Sequence, residues 1–441
     1  MKTNITHEDE PVVAAAEMPA PGPVISTKGL YGNFILRYIT GEIAKFKTLS
    51  VACRRLLVSN FVYIITNGIV GLVSASFIFR LKSGDIFYNM INYFGAYLGT
   101  TVGFFVTGML LKKVRVNYLY SVGMLFNACS FIPLLFNNNP TVTFIIITGF
   151  FTGMGNGMYW SNRHYMTILS TENKDRNYMG GIDSTLMTIG QLLAPVIFGI
   201  MVATESSTGL ANLGQYKMLF VVVTALFLFS AWNIMQGRYQ TVPLKKFVFF
   251  KYNRRWNRQS LVNIFEGLTE GATYTIPPIL ILMFVGAEDT LGTIETISVA
   301  LSTLPVYLMG RYTKPRHRVY LLTASVTSLL IGTTFLAVDF GQNGVLTFYA
   351  FNKLTYILNA FVYVAIRMRS VDVSKAIENR DEYAYIFNSE LFTELGRLLT
   401  IGIFCFVFFY VSKESAQRYI PLAVAILQLL TLPLVRKMSQ E

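Results

Sequence analysis

The sequence predicts an all-α membrane protein whose twelve transmembrane helices form two pseudo-symmetric six-helix bundles. The chain of 441 residues is 53% hydrophobic but only 14% charged, whereas soluble domains carry roughly a quarter charged residues. Apolar stretches of about 20 residues, long enough to cross a bilayer, recur on both sides of a basic segment at residues 238–258. The two flanks also repeat short motifs, which indicates a duplicated fold.

The basic segment determines the predicted topology. It contains Lys246, Lys251, Arg254, Arg255 and Arg258, and short loops rich in Lys and Arg stay on the cytoplasmic side of a membrane. The segment is therefore predicted to be a cytoplasmic linker. With six spans on each side of it, both termini are predicted to be cytoplasmic. We expect a multi-pass protein of a plasma or inner membrane.

Residues 1–48 are predicted to be a cytoplasmic tail. Residues 1–28 are rich in Pro and Ala and lack a basic stretch leading into an apolar core, so they do not resemble a signal peptide. Residues 29–55 mix apolar and basic residues. They fit either an amphipathic helix on the inner leaflet or a basic lead-in to the first span.

The apolar stretches give the individual spans. The first bundle, residues 49–237, is predicted to hold helices at 56–80, 87–111, 117–137, 141–168, 178–204 and 215–237. The second bundle, residues 259–441, is predicted to hold helices at 259–285, 290–311, 317–339, 343–369, 385–411 and 415–436.

Composition also excludes several classes of function. The net charge of +13 lies in short loops and not on one polar face, which argues against nucleic-acid binding. The three cysteines and three histidines are scattered, so neither a disulfide framework nor a metal site is predicted. We expect no cofactor. An enzyme is not predicted because no nucleophile–base pattern lies at membrane depth.

An internal repeat supports two equivalent halves. The motif Glu-Asn-Lys-Asp at 172–175 returns as Glu-Asn-Arg-Asp at 378–381. The same offset of ~206 residues carries Arg163 onto Arg369 and Gly190 onto Gly396. Duplicated bundles of this kind face each other across a central cavity and rock about it.

Two loops carry a family resemblance. Gly108 is followed by Lys112 and Lys113, and Gly310 by Lys314. Together with the six-plus-six arrangement, these loops resemble those of the major facilitator superfamily over about residues 50–438, with lysine replacing the usual acid. The resemblance implies a secondary active transporter that moves a small organic solute by alternating access. It also implies that the protein is a monomer and that its partners are the lipid bilayer, the solute and protons.

The fifth predicted helix adds a narrower resemblance. Proton-coupled drug antiporters of this family use a glycine- and proline-rich pattern there, and four of six positions agree in Gly181, Gly190, Ala194, Pro195, Phe198 and Gly199. An efflux antiporter is thus implied, while ordinary small-residue packing explains the pattern equally well. A proton-coupled uptake symporter for a polar metabolite stays open. So does another class, a lipid flippase or a non-transporting receptor-like member of the same fold.

Polar residues inside the predicted spans are the candidate site, because polar and charged groups are expensive in lipid. Several share a helical face with other polar residues, as expected for the wall of a wet cavity. The substrate-cavity candidates are Asn67, Asn156, Trp160, Gln191, Tyr274, Lys353, Tyr356, Asn359 and Arg397.

The acidic residues inside the predicted spans are candidates for proton coupling, namely Glu270, Glu266, Glu394 and Asp183. Two acids one helical turn apart repel when both are ionised, which favours a proton on one of them. We therefore expect Glu270 to carry the proton, since Glu394 has Arg397 three residues away. Lys353 and Arg397 are expected to contact charged groups of the substrate.

Two ion pairs are predicted at the cytoplasmic mouth. Arg163 and Asp183 should lie at one level, and Arg367 or Arg369 with Glu390 occupy the repeated positions. These pairs either open as a cytoplasmic gate or are static pairs that satisfy interfacial charges.

Overall fold

The computed structural model describes residues 40–137, 139–170, 173–203, 213–239, 244, 246–286, 288–313 and 317–440. It divides into two units, Met1–Thr48 and Leu49–Glu441. In the first unit, residues 40–48 are helical, and the predicted tail at 1–39 lies outside the described residues. All further description concerns the second unit.

Helices account for all the regular secondary structure of the described residues. The first bundle contains α1 Val51–Leu81, α2 Ile86–Leu110, α3a Val116–Ser130 with the short α3b Ile132–Leu135, α4 Val142–Ser170, α5 Asn173–Ala203 and α6 Leu213–Met235. The second contains α7a Arg254–Thr273, α7b Ile276–Phe284, α8 Glu288–Tyr312, α9 Arg318–Val338, α10 Gln342–Glu378, α11 Glu382–Tyr410, α12a Lys413–Gln428 and α12b Thr431–Gln440.

Helix α7 differs from its predicted span at 259–285 both at its start and in its interior. It begins at Arg254, inside the predicted linker, because the Asn253 side chain caps it by accepting the Trp256 backbone N–H at 2.9 Å. It is also interrupted after Thr273, shortly before Pro277. Proline lacks the N–H that would continue the helical ladder. The interruption lies one turn beyond Glu270 and so falls beside the predicted site.

Length and composition agree with a membrane protein. Among the described residues, seven helices are long and apolar enough to cross a bilayer, in α1, α2, α5, α6, α9, α11 and α12. Helices α3 and α7 are interrupted, and α4, α8 and α10 carry more polar residues. Such polar spans are favourable only where they face other helices or a cavity.

Glycines allow the helices that support the site to pack backbone against backbone. A Cβ atom on Gly153 of α4 would lie 1.8 Å from the Ala96 carbonyl oxygen of α2. In the second bundle, a Cβ on Gly267 of α7a would lie 2.0 Å from the Thr393 carbonyl oxygen of α11. No side chain fits in either place, as in small-residue contacts of membrane helices generally. The second contact brings Glu270 and Arg397, one turn further along, beside each other.

The bundles touch each other at both ends. We call the end near residues 244–253 the linker end and the opposite one the far end. At the far end, Arg80 of α1 forms an ion pair with Glu288 of α8. At the linker end, the Tyr383 hydroxyl of α11 donates to the Phe104 carbonyl of α2 at 2.9 Å. The ring of Phe247, from the linker, packs on Tyr383 with ring centroids 5.7 Å apart.

Candidate functional site

A cavity of about 730 Å³ lies between the bundles. A second cavity of about 300 Å³ adjoins it, and both are lined by Glu270, Arg367 and Arg397. The volume of the larger cavity lies in the range of small-molecule sites, roughly 300–1,000 Å³. Helices α1, α2 and α4 form one side, and α7, α10 and α11 form the other.

The two sides of the larger cavity differ in charge. The first-bundle side, which we call the amide wall, has no Asp, Glu, Lys or Arg among its described lining residues. Its polar and aromatic members include Asn67, Asn89, Asn92, Tyr93, Tyr97, Asn156, Trp160 and His164. The second-bundle side, which we call the ionic wall, contains Glu270, Arg367, Glu382, Glu390, Glu394 and Arg397.

Arg397 holds two carboxylates of the ionic wall. Its Nε and Nη2 donate to Glu270 Oε2 at 2.9 and 2.5 Å, and its Nη1 donates to Glu394. Glu270 also accepts from the Tyr274 hydroxyl at 3.0 Å. Glu394 is fully buried, and its Oε2 has no hydrogen-bond partner among the described residues. One guanidinium therefore compensates two carboxyl groups at this point.

The same cluster reaches the opposite bundle. The Arg397 guanidinium lies 5.3 Å from the centre of the Tyr97 ring, which belongs to α2 of the amide wall. This is within the distance at which an aromatic face attracts a cation. The cluster around Arg397 is therefore part of a contact between the two bundles.

Arg367 repeats this arrangement nearer the linker end. Its Nη2 lies 2.6 Å from Glu266 Oε2, and its Nη1 lies 3.7 Å from Glu390 Oε1. These three side chains come from α10, α7a and α11. Both arginines of the cavity thus hold two carboxylates each.

The first bundle has a pseudo-symmetric counterpart of the Arg367 cluster. Arg163 lies 2.5 Å from Asp183, whose other oxygen accepts from the Asn60 amide at 3.1 Å. The repeat offset carries Asn60 onto Glu266. A neutral amide therefore stands in the first bundle where a carboxyl group stands in the second, and the surplus of acid belongs to the second bundle.

The predicted gate residues pair within a bundle. Arg163 and Asp183 join α4 to α5, and Arg367 and Glu390 join α10 to α11. Of the alternatives at 367 and 369, it is Arg367 that reaches Glu390, while Arg369 is exposed. Among the described residues, two ion pairs cross between the bundles. Arg80 pairs with Glu288, to which the buried Tyr216 hydroxyl also donates at 2.8 Å, and Lys413 pairs with Asp85 at 3.1 Å. The sequence analysis predicted neither of these crossing pairs.

Most of the predicted cavity residues line one of the two cavities, including Asn67, Asn156, Trp160, Tyr274, Tyr356, Asn359 and Arg397. Lys353 is placed differently. Its Nζ is held by Glu295 of α8 at 2.7 Å, outside the described linings of both cavities. Gln191 is likewise not among these lining residues. The predicted depth of Lys353 does not determine which neighbour it contacts, and Glu295 supplies a nearby opposite charge.

The structure gives a packing role to the first predicted loop motif and only a location to the second. A Cβ on Gly108 would lie 2.7 Å from the Phe247 ring, so this glycine makes room for the linker-end contact. Lys112 and Lys113 are exposed. Gly310 lies in α8, and Lys314 lies outside the described residues.

Helix α2 contributes cavity residues that the sequence analysis did not select. They are Asn89, Asn92, Tyr93 and Tyr97, at positions i, i+3, i+4 and i+8. That spacing places them on one face of a helix. The periodic polar and aromatic face was therefore a usable signal in a span otherwise read as apolar.

The family model described as Major Facilitator Superfamily matches residues 56–367. The uncharacterized protein YqgE of Bacillus subtilis is 23% identical over 329 residues, which cover 74% of this chain and 75% of that protein.

Solved structures of transporters share the fold. A bacterial homologue of the iron transporter ferroportin, in an inward-facing state, superposes with a TM-score of 0.65 at 13% identity, covering 88% of this chain and 99% of the other. The nucleoside transporter NupG superposes with a TM-score of 0.61, at the same identity and coverage. At such low identity these likenesses concern the fold alone.

Proposed function

Since the chain belongs to the Major Facilitator Superfamily, a family of membrane transporters and not of enzymes, we propose that it is a proton-coupled secondary transporter of a small organic solute. The observation that carries the proposal is the sharing of Arg397 by Glu270 and Glu394. We refer to these three residues as the coupling cluster.

Charge balance favours a proton in this cluster. With both carboxyl groups ionised, Arg397 would leave one negative charge uncompensated, and burying such a charge is expensive. Helix α11 begins at Glu382, so Glu394 lies about 18 Å into the bundle at 1.5 Å per residue. Glu394 is also fully buried, so water supplies little compensation. Binding a proton is therefore favourable.

The contacts favour Glu394 over Glu270 as the protonated member. Glu270 receives two hydrogen bonds from Arg397 and one from Tyr274, and all three stabilise its ionised form. Glu394 is more deeply buried, and one of its oxygens has no partner among the described residues. We therefore place the proton on Glu394, whereas the sequence alone favoured Glu270.

Proton transfer then acts on the contact between bundles. When Glu394 is protonated, Arg397 is paired with Glu270 alone. When Glu394 loses its proton, the guanidinium must compensate both carboxylates, which alters the charge on the group that lies 5.3 Å from the centre of the Tyr97 ring. In an alternating-access cycle, such a change favours opening at one end over the other. The far-end contact of Arg80 with Glu288 and the linker-end contact of Tyr383 with Phe104 would break in turn.

The lining supports a soluble solute over a lipid. Amide and hydroxyl side chains line the cavity from the first bundle, and charged and hydroxyl side chains line it from the second, whereas an acyl chain would need an apolar groove. An efflux antiporter and an uptake symporter can both use this proton site. The direction of solute flow under an imposed pH gradient separates them. We place the linker end in the cytoplasm and take the carrier to be a monomer.

Transport in proteoliposomes tests the proposal. A ligand is first found by screening metabolites and drugs for those that raise the unfolding temperature of the purified carrier. Its movement is then driven by an imposed pH gradient. Glu394→Gln keeps the shape and charge of the protonated state, so it should abolish the response to the gradient. It should preserve solute counterflow, because exchange of loaded carriers needs no proton release.

Glu414→Gln is the matched control, since Glu414 is largely exposed and pairs with Arg418 at the surface. It should respond to the pH gradient as the wild type does. A full response in both Glu394→Gln and Glu270→Gln would contradict proton coupling at this cluster.

A further inference from the structure

We infer that the solute is an uncharged, planar ring compound with hydrogen-bonding groups on its edge, held by the amide wall while the ionic wall carries the proton. The inference rests on the proposed function and names the substrate class of the same cavity. It follows from the amide groups, the aromatic pairs and the distribution of charge.

Asn89 points to a hydrogen-bonding ligand. It is 1% exposed, lines the cavity from the first turn of α2, and its Nδ2 has no hydrogen-bond partner among the described residues. A buried amide N–H without an acceptor is unfavourable. A carbonyl oxygen or ring nitrogen of a solute at this position would satisfy it.

Neighbouring amides offer complementary groups. The Tyr63 hydroxyl donates to Asn156 Oδ1 at 2.8 Å, which orients the Asn156 NH2 as a further donor. The Asn92 amide nitrogen donates to the Ile145 carbonyl at 3.2 Å, so its carbonyl oxygen is available as an acceptor. The wall thus presents donors and an acceptor, the pattern that matches an amide or a heteroaromatic edge.

Aromatic pairs stand on both sides of the cavity. On α2, the rings of Tyr93 and Tyr97 are stacked with centroids 6.2 Å apart and planes inclined by 28°. On the opposite side, Tyr274 and Tyr356 meet edge to face at 5.8 Å. Aromatic side chains attract a flat ring through stacking and edge contacts. Their presence on both walls favours a planar solute.

The distribution of charge in the cavity favours a neutral solute. The amide wall has no Asp, Glu, Lys or Arg among its described lining residues, so it provides no counter-ion. An anion would meet the acid surplus of the ionic wall. A permanent cation would compete with Arg397 and the proton for Glu270 and Glu394. An uncharged solute requires neither displacement.

Matched ligands that differ in charge test the inference. One series is nicotinamide, nicotinate and the N-methylpyridinium form of nicotinamide; the other is indoleacetamide, indoleacetate and tryptamine. Binding to the wild-type carrier is measured by calorimetry and by the rise in unfolding temperature, at one neutral pH and without a gradient. A neutral amide should bind at least roughly tenfold more tightly than both charged members of its series, because an unpaired buried charge is penalised.

Substitution of Asn89 tests the position. Asn89→Leu should weaken binding of the neutral amide by roughly ten- to a hundredfold, the loss typical of a ligand hydrogen bond in a buried site. Asn89→Thr replaces the amide by a hydroxyl group, which can still donate a hydrogen bond, and should lose less. Asn162→Leu is the control, since Asn162 is also fully buried but is absent from the described cavity lining. It should bind as the wild type does.

Three results would overturn the inference: tighter binding of a charged member, no binding by either series, or equal losses in the Asn89→Leu and Asn162→Leu variants. A different result would refute the proposed proton coupling. If the neutral amide binds and depends on Asn89, but its transport ignores a pH gradient, then the proposed coupling is wrong while the substrate class stands.

Discussion

Replacing Arg397 by glutamine tests the charge balance of the cluster without any knowledge of the substrate. The change leaves Glu270 and Glu394 without their shared cation inside the bundle. Removing one partner of a buried ion pair typically costs about 3–5 kcal/mol, because the other charge is left uncompensated. We therefore expect Arg397→Gln to lower the free energy of unfolding by about this amount near neutral pH.

The pH dependence of this loss has a defined sign. At lower pH any carboxyl group of the cluster that is still ionised binds a proton and becomes neutral, and the uncompensated charge disappears. The difference in stability between Arg397→Gln and the wild type should therefore shrink as the pH falls. Adding Glu270→Gln to Arg397→Gln removes one of the two carboxylates and should restore part of the stability.

Unfolding of the purified carrier in mixed micelles, followed by circular dichroism at several pH values, measures these differences. Lys375→Gln is the control, because Lys375 pairs with Glu382 at 3.6 Å on an exposed surface. Such surface pairs contribute at most about 1 kcal/mol. A loss in Arg397→Gln no larger than in Lys375→Gln, or one that does not change with pH, would refute the reasoning.

Three further predictions concern the scaffold. Gly153→Leu should prevent close packing of α2 and α4 and abolish the yield of folded carrier in size-exclusion chromatography, whereas Gly180→Leu should not, since a Cβ there meets nothing within 4 Å. Glu288→Gln should weaken the far-end pair with Arg80 and increase labelling of a cavity cysteine from that side; unchanged labelling would argue against a gate there. In a background without native cysteines, a cysteine at Gly341 should react with an impermeant reagent from outside the cell and one at Phe250 should not; the reverse result would invert the topology.

The sequence predicted the helices well because a single physical quantity determines them. A span needs about 20 apolar residues, and this length can be read directly from the chain. The helix breaks were harder to predict. Pro277 and Pro278 lie inside the span predicted at 259–285, but proline is tolerated in many membrane helices when neighbours satisfy the freed backbone groups. Only the packing around α7 decides between a bend and a break.

Pairing between helices was the least predictable feature. The repeat offset made Arg369 the equivalent of Arg163 in the second half. It is Arg367, however, that pairs with Glu390. Two residues correspond to a rotation of about 200° around an α-helix, so Arg369 faces away from Arg367. A sequence repeat aligns helices along their length, but small shifts of register change the face completely.

The depth of Arg397 in the membrane does not determine all of its ion-pair partners. Its distance into the membrane was readable from the sequence, and so was its closeness to Glu394 three residues earlier. Its second partner, Glu270, lies 127 residues away. The contact exists because Gly267 lets α7a approach α11 to backbone distance. The ion pair of Lys353 was equally hidden, because its partner Glu295 belongs to a different helix, α8.

Infrared difference spectroscopy of the purified carrier in lipid nanodiscs tests the central claim most directly, because it detects a protonated carboxyl group by its carbonyl band. We predict a band at neutral pH that disappears as the pH is raised and that is lost in Glu394→Gln but retained in Glu414→Gln. A band that persists unchanged in Glu394→Gln, or a wild-type spectrum without any titrating carboxyl band, would contradict a proton held on Glu394 beside Arg397.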